Sequence, residues 1–218
     1  MKLEYVLFDM DGTLFNTQPG VTKSVAYALD KFGIKVDNLS DLNKFIGPPL
    51  NVSFADYYGF NEEDVKKAIS YYREYYTEKG CIDCEIYPGI KELLAHLKEK
   101  GIKIAMATSK PEVYAVRILK NAGIYEYFDV AKGADLEGKC IHKIDIIRNV
   151  MAAFEDFNVE NAVMIGDRKY DYEGAKEVGM KCILIEYGFG EREELEKCAP
   201  FKIEADTHTL EKFLDSLI

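Results

Sequence analysis

Leu3-Glu4-Tyr5-Val6-Leu7-Phe8-Asp9-Met10-Asp11-Gly12-Thr13-Leu14 is the stretch that decides how this chain folds. Its first half is apolar, aromatic and β-branched, and it stops abruptly at two carboxylates and a glycine. That pattern predicts a buried strand over Leu3–Phe8 with Asp9 and Asp11 at its carboxyl end. In extended backbone, residues two apart project to the same side. Two carboxylates placed this way repel each other unless one is protonated or a cation lies between them.

The pattern repeats downstream. Apolar runs at Ile102–Ala107, Phe128–Ala131, Ala162–Ile165 and Cys182–Ile185 predict further strands. Helical segments fall between them: Ile90–Lys100 after Pro88 and before Gly101, Glu112–Asn121 after Pro111, and Tyr172–Val178 before Gly179. Strand and helix alternating at this spacing imply an α/β fold, with a Rossmann-like, three-layer, parallel-sheet core. Ligands of such sheets bind beyond the carboxyl ends of the strands. The polar residues expected there are Asp9 and Asp11, Thr108-Ser109-Lys110, Asp135, and Asp167-Arg168-Lys169-Tyr170-Asp171. Lys143 falls in a crossover.

One region breaks the alternation. Residues 16–84 contain helical patterns at Val21–Phe32 and Glu62–Lys79, the second with Val65, Ile69, Tyr72 and Tyr76 on one face and Asn61 before it as a cap. They carry no strand-like run. The expected organisation is a core of 1–15 and 85–218 interrupted by an all-helical cap domain.

Composition narrows the function classes. Apolar residues make up 48% of the chain and the formal net charge is −10, so nucleic-acid backbones and anionic membrane surfaces are disfavoured as partners. No apolar run is long enough to span a bilayer, and acidic Asp9 and Asp11 interrupt any signal-like N-terminal region. The expectation is a cytoplasmic protein, monomeric or homodimeric. Five scattered cysteines argue against a disulfide framework; Cys81-Ile-Asp-Cys84 is a lone C-x-x-C, better read as reduced thiols than as half a zinc site. Four carboxylates at strand ends, with no cysteine or histidine beside them, suit a hard, oxygen-preferring cation, Mg2+ first.

These residues resemble the haloacid dehalogenase-like hydrolase superfamily, in its phosphatase branch. Asp9-Met-Asp11-Gly12-Thr13-Leu14, Thr108 at its strand end, Lys143, and Gly166-Asp167-Arg168-Lys169-Tyr170-Asp171 match its four motifs in order, although Lys143 lacks the proline that follows in many relatives. The resemblance implies that Asp9 is the nucleophile and forms an aspartyl phosphate. Asp11 then serves as general acid and base. Mg2+ is held by Asp9, the Asp11 carbonyl, Asp167 and Asp171, and Thr108 and Lys143 bind the phosphoryl group with Ser109 nearby. A carboxylate about 4 Å from one negative charge costs about 4 kcal/mol at an effective dielectric of about 20, which is why such a site needs cations. The implied activity is Mg2+-dependent hydrolysis of a small phosphate monoester by a phosphoglycolate phosphatase-like or 5′-nucleotidase-like enzyme. The Gly166-Asp-Arg-x-x-Asp171 form and the Gly138-x-x-x-x-Lys143 approach look closer to the nucleotidases. A phosphomutase is the alternative within the superfamily, and a non-catalytic binding module is the alternative outside it.

Other residues stay open on sequence grounds. Gly47-Pro48-Pro49-Leu50 is either a substrate loop or a stiff helix–helix connection, and Arg73 either reaches a substrate anion or is solvated. Arg168 either pairs with Asp171 or faces solvent, in a structural role. Lys110-Pro111 either orients Thr108 or simply starts a helix. Tyr57, Tyr58, Tyr71, Tyr72, Tyr75 and Tyr76 are read as packing rather than as a nucleobase platform. His96, His142 and His208 are scattered and receive no catalytic role.

Overall fold

The computed structural model describes residues 2–136, 140 and 142–218; Gly138 lies outside them. In chain order, β1 (Tyr5–Phe8) is followed by β2 (Phe15–Asn16), then α1 (Gln18–Asp30), α2 (Leu50–Tyr58), α3 (Glu62–Glu78) and β3 (Glu85–Ile86), which pairs with β2. Strands and helices then alternate: α4 (Ile90–Glu99), β4 (Lys103–Pro111), α5 (Glu112–Asn121), β5 (Val130–Ala134), α6 (Lys143–Ala152), β6 (Ala162–Gly166), α7 (Lys169–Glu177), β7 (Lys181–Ile185), α8 (Arg192–Cys198), β8 (Lys202–Glu204) and α9 (Thr207–Asp215). The chain divides into two compact units. One comprises Met1–Phe15 and Ile86–Ile218, and the other is Asn16–Glu85.

The first unit is a Rossmann-like α/β fold. Its six strands lie in the order β5-β4-β1-β6-β7-β8, every neighbouring pair parallel. Leu7, Ala105, Ala107 and Met164 pack on one face against Ile146, Ile147 and Val150 of α6 and Ala175 of α7. Val6, Phe8, Ile104, Met106, Val163 and Ile165 alternate with them and are just as buried. A parallel sheet covered on both faces requires such continuous apolar strands. α4 shows how the covering layer forms: Ile90, Leu93, Leu94 and Leu97 recur at helical spacing and are all buried.

β1 lies at the centre of the sheet, with Val6 in register with Ile104 of β4 and Val163 of β6. The carboxyl ends of three adjacent strands therefore bring Asp9, Thr108 and Asp167 side by side. β4 runs on past the expected Ala107 to Pro111, and its pairing with β5 shifts register between Thr108 and Pro111. An irregularity of this kind re-aims the side chains at a strand end.

The second unit is built on α1 and α3. Asn61 caps α3 by accepting from the N–H groups of Glu63 and Asp64. Gly20 of α1 meets Gly80 so closely that a Cβ would overlap the Gly80 carbonyl. Aromatic rings fill much of the remaining space. Tyr72 stacks on Tyr76, Tyr27 packs on Tyr75, and Phe32 packs on both Phe60 and Tyr71. Pro49 is the N-cap of α2, a helix the sequence reading did not anticipate, since it takes Gly47-Pro48-Pro49-Leu50 as either a substrate loop or a stiff helix–helix connection. Among the described residues, no helix is long and apolar enough to cross a membrane.

Candidate active site

Asp9 follows the last residue of β1, and its N–H donates to the Ile165 carbonyl of β6 at 2.9 Å. The chain then turns through Gly12, whose φ of +80° is open to glycine at little cost. A Cβ there would overlap the Asp167 carboxylate. This turn therefore works only if residue 12 has no side chain.

Asp9, Asp167 and Asp171 are buried and offer oxygens that lie within 4.8 Å of one another. Lys143 rises from the start of α6 into this group. Its ammonium is 2.8 Å from Asp9 Oδ1 and 2.8 Å from Asp171 Oδ1, and it donates to the Ala107 carbonyl at 2.9 Å. Burial works to lower the Lys143 pKa, but the carboxylates of Asp171 and Asp9 outweigh it and hold the group charged. The Asp11 carboxylate is set apart from the three, 3.0 Å from the ammonium of Lys110.

Asp167 is fully buried. It accepts from the Phe189 N–H at 2.7 Å and, more weakly, from the Thr13 hydroxyl at 3.5 Å. Burial, with the carboxylates of Asp171 and Asp9 adding to it, pushes its pKa well up. Asp171 is raised to about 6 by burial, Lys143 opposing and Asp9 assisting. The Arg168 N–H donates to Asp171 Oδ2 at 3.1 Å. Asp9 Oδ1 and Asp171 Oδ1 accept no well-directed hydrogen bond.

These observations test the donor set for a cation. Four carboxylates (Asp9, Asp11, Asp167, Asp171) against two ammonium groups (Lys110, Lys143) leave two negative charges when all are ionised. Burial penalises that charge and pushes Asp167 and Asp171 up, while one oxygen from each of Asp9, Asp167 and Asp171 converges within 4.8 Å. The donors are all oxygen. The set fits a hard divalent cation.

Thr108 is buried, and its Oγ accepts from the Lys110 N–H at 3.2 Å, which leaves the hydroxyl proton to be donated elsewhere. Lys110 thus acts twice, through its backbone on Thr108 and through its ammonium on Asp11. Ser109 is partly buried beside them. Asp135 accepts from the Cys140 N–H through Oδ2.

The structure changes one structural expectation: the Arg168 side chain neither pairs with Asp171 nor simply faces solvent. It forks onto Glu194 of α8 at 2.9 and 3.2 Å. In the helical unit, Arg73 is exposed on α3 and Gly47 lies between a 3-10 turn and α2, with φ of +102°.

Sequence reasoning missed the loop after β7. Tyr187 donates to the Thr13 carbonyl at 3.0 Å and packs edge-on against Tyr87, with ring centroids 4.9 Å apart. Tyr87 is half-buried and pushed up to about 12 by burial, with Asp167 and then Asp11 adding to it. A Cβ on Gly188 would overlap the Asp167 side chain and the Gly12 carbonyl, and one on Gly190 would overlap the Asp167 carbonyl. The signal was available: Gly188-Phe189-Gly190 directly follows a buried parallel strand.

Residues 6–185 match the family model of the haloacid dehalogenase-like hydrolases. The chain belongs to that family. A 5′-nucleotidase from Pseudomonas aeruginosa is 38% identical over 99% of this chain and 97% of its own length. A phosphoglycolate phosphatase from the same organism is 28% identical over 89% of this chain and 74% of its own. The crystal structure of a predicted phosphatase from Clostridium acetobutylicum superposes with a TM-score of 0.95 at 44% identity, each chain fully covered. This haloacid dehalogenase-like hydrolase is accordingly a phosphatase, a phosphoric monoester hydrolase.

Proposed function

We propose that the chain hydrolyses nucleoside 5′-monophosphates or a similarly small phosphate monoester such as phosphoglycolate, through a phosphoaspartate on Asp9 and with Mg2+ bound. The observation that carries this reading is the placement of Asp9: a buried carboxylate at the end of the central strand, against the Lys143 ammonium and within reach of Asp167 and Asp171. The 5′-nucleotidase likeness, higher and more complete than the phosphoglycolate phosphatase likeness, supports the nucleotide as first choice.

Asp9, Asp167, Asp171 and the Asp11 backbone carbonyl would hold the cation, which when bound supplies positive charge against the phosphoryl oxygens. Asp9 attacks phosphorus and forms the acyl phosphate as the bond to the leaving oxygen breaks. Asp11 delivers a proton to that oxygen. It then takes a proton from the water that attacks phosphorus, and the Asp9–phosphorus bond breaks to release phosphate. Lys110 holds the Asp11 carboxylate near the leaving group. The Thr108 hydroxyl donates to a phosphoryl oxygen, with Ser109 beside it. The contacts of Lys143 with Asp9, Asp171 and Ala107 favour a chiefly electrostatic role: it offsets the charge of the nucleophile so that an anion can approach.

The helical unit, residues 16–85, is proposed as the part that selects the leaving group, through Gly47 and Arg73 among others. The test is a panel of phosphorylated metabolites assayed with purified protein, with and without exhaustive chelation. Nucleoside 5′-monophosphates should give the highest kcat/KM. Chelation should abolish turnover, Mg2+ should restore it, and Ca2+ should not, because its looser coordination can engage both oxygens of Asp9. Full activity after chelation would refute the metal reading.

A further inference from the structure

Arg168 sits between Asp167 and Asp171 in the chain, and its side chain reaches α8. Nε and Nη2 of the guanidinium donate to the two oxygens of Glu194 at 2.9 and 3.2 Å. The same Glu194 Oε1 also accepts the Lys169 N–H at 2.9 Å. One carboxylate on α8 thus takes a planar fork from residue 168 and the first helical N–H of α7, one of the donors a helix leaves without an internal partner. Burial works to raise the Glu194 pKa, but the Arg168 and Lys169 contacts overcome it, keeping the carboxylate charged.

Glu194 does not act alone. The segment from Gly188 to Glu194 meets the segment from Asp167 to Asp171 at three successive places. The Phe189 N–H holds Asp167 Oδ2, Gly190 lies against the Asp167 carbonyl, and Glu194 holds Arg168 and Lys169. Leu195, the next residue, is fully buried and anchors the near end of α8. Within the clamped turn, the Arg168 N–H binds Asp171 Oδ2, which turns Asp171 Oδ1 toward Lys143 and Asp9.

From this geometry we infer that Glu194 is a positioning residue for the cation site. By fixing Arg168 and the start of α7 it sets the separation and direction of the Asp167 and Asp171 carboxylates. The inference rests on reading those two aspartates as cation ligands. Arg168 and Glu194 are mostly shielded, with side-chain exposures of 19% and 24%. Their fork is therefore less screened than a surface pair. Groups that orient metal ligands from behind commonly change metal affinity by about 10–100-fold when removed.

The experiment measures Mn2+ binding directly, from the electron paramagnetic resonance signal of free Mn2+, alongside the melting temperature of the metal-free protein. The variants are E194A, E194Q and R168K, with E193A as control. Glu193 lies on the same helix and pairs only with exposed Lys197 among the described contacts. E194A should weaken Mn2+ binding about 10-fold or more. R168K, which keeps the charge but loses the fork, should weaken it less, and E194Q should fall between the two. E193A should bind as the wild type does. A lower melting temperature in E194A and E194Q with unchanged Mn2+ affinity would overturn the inference and leave Glu194 a structural residue. If E194A does not fold, E194Q and R168K carry the same comparison. Failure of the wild-type protein to bind Mn2+ would instead sink the underlying cation reading.

Discussion

The two units bury different things. Among the described residues, all the buried charged side chains, Asp9, Lys110, Lys143, Asp167, Asp171 and Glu204, belong to the sheet unit. The polar side chains buried in the helical unit are uncharged: Thr17, Thr22, Ser24 and Ser53. Thr22 and Ser24 donate to the Gln18 and Gly20 carbonyls one turn back, which needs no partner from elsewhere. The rest of its interior is apolar, aliphatic side chains such as Val25, Leu29 and Leu42 packing with Phe45, Phe54, Tyr72 and Tyr76. Buried charge is expensive unless it is paired or used, so the sheet unit carries a cost that the helical unit does not. Under the proposed function, this division sets the unit that would carry the chemistry apart from the unit that would select the leaving group.

The hardest blow to that division is Asp9→Asn. It should reduce kcat by on the order of 10^4-fold or more, since an amide cannot form the acyl phosphate. The melting temperature should hold or rise, because one of several crowded carboxylates is gone. A folded variant with near-normal turnover would end the proposed mechanism. A smaller, more selective effect is expected from exchanging residues 16–85 for the corresponding segment of a phosphoglycolate-selective relative. Mg2+-dependent hydrolysis should survive while the kcat/KM ratio between phosphoglycolate and a nucleoside 5′-monophosphate moves by about 10-fold or more. An exchanged protein that folds, binds metal and keeps the original ranking would place selection in the sheet unit. Smallest in its effect on catalysis is Tyr72→Ala. Removing a buried, stacked ring should cost about 3 kcal/mol of stability, read as a lower denaturation midpoint. The kcat for a minimal phosphate ester should stay within about 2-fold of wild type, as expected for a residue whose contacts lie in the packing of its own unit. A large fall in that kcat would mean the helical unit shares in the chemistry.

The sheet was legible because β1, β4, β6 and β7 are continuous apolar runs ending in polar turns, and central parallel strands need both features. β8 and α9 were not anticipated. Lys202-Ile203-Glu204 is a three-residue edge strand with a single apolar side chain. α9 did carry a signal that went unread: Asp206 caps Thr209, and Leu210, Phe213, Leu214 and Leu217 recur at helical spacing, with Leu210 and Leu214 buried. The acidic strand ends could be read from the chain because their chemistry is carried by residue type. Their supports could not. Phe189 acts through its backbone N–H, which any residue but proline possesses, and Glu194 is one acidic residue among several on an exposed helix. What distinguishes it is the parallel crossover that brings it beside Arg168, 26 positions earlier in the chain. Lys110 shows a third kind of limit. Orienting Thr108 was anticipated as one option, whereas the ammonium contact with Asp11 depends on where β4 lies beside β1.

The place of β1 in the sheet also has a consequence for how the protein is made. The strand that ends at Asp9 is synthesised before both of its partners, residues 103–106 on one side and 162–165 on the other. Until the second set has been synthesised, Tyr5–Phe8 has an open edge of unpaired backbone groups on an apolar strand, the kind of surface that seeks another chain. Residues 16–85, which form a compact unit of their own, are complete in sequence by then. A ribosome pausing between Pro111 and Ala162 would therefore hold a nascent chain whose central strand lacks one of its two partners and lies open to whatever chaperone or aggregate reaches it first.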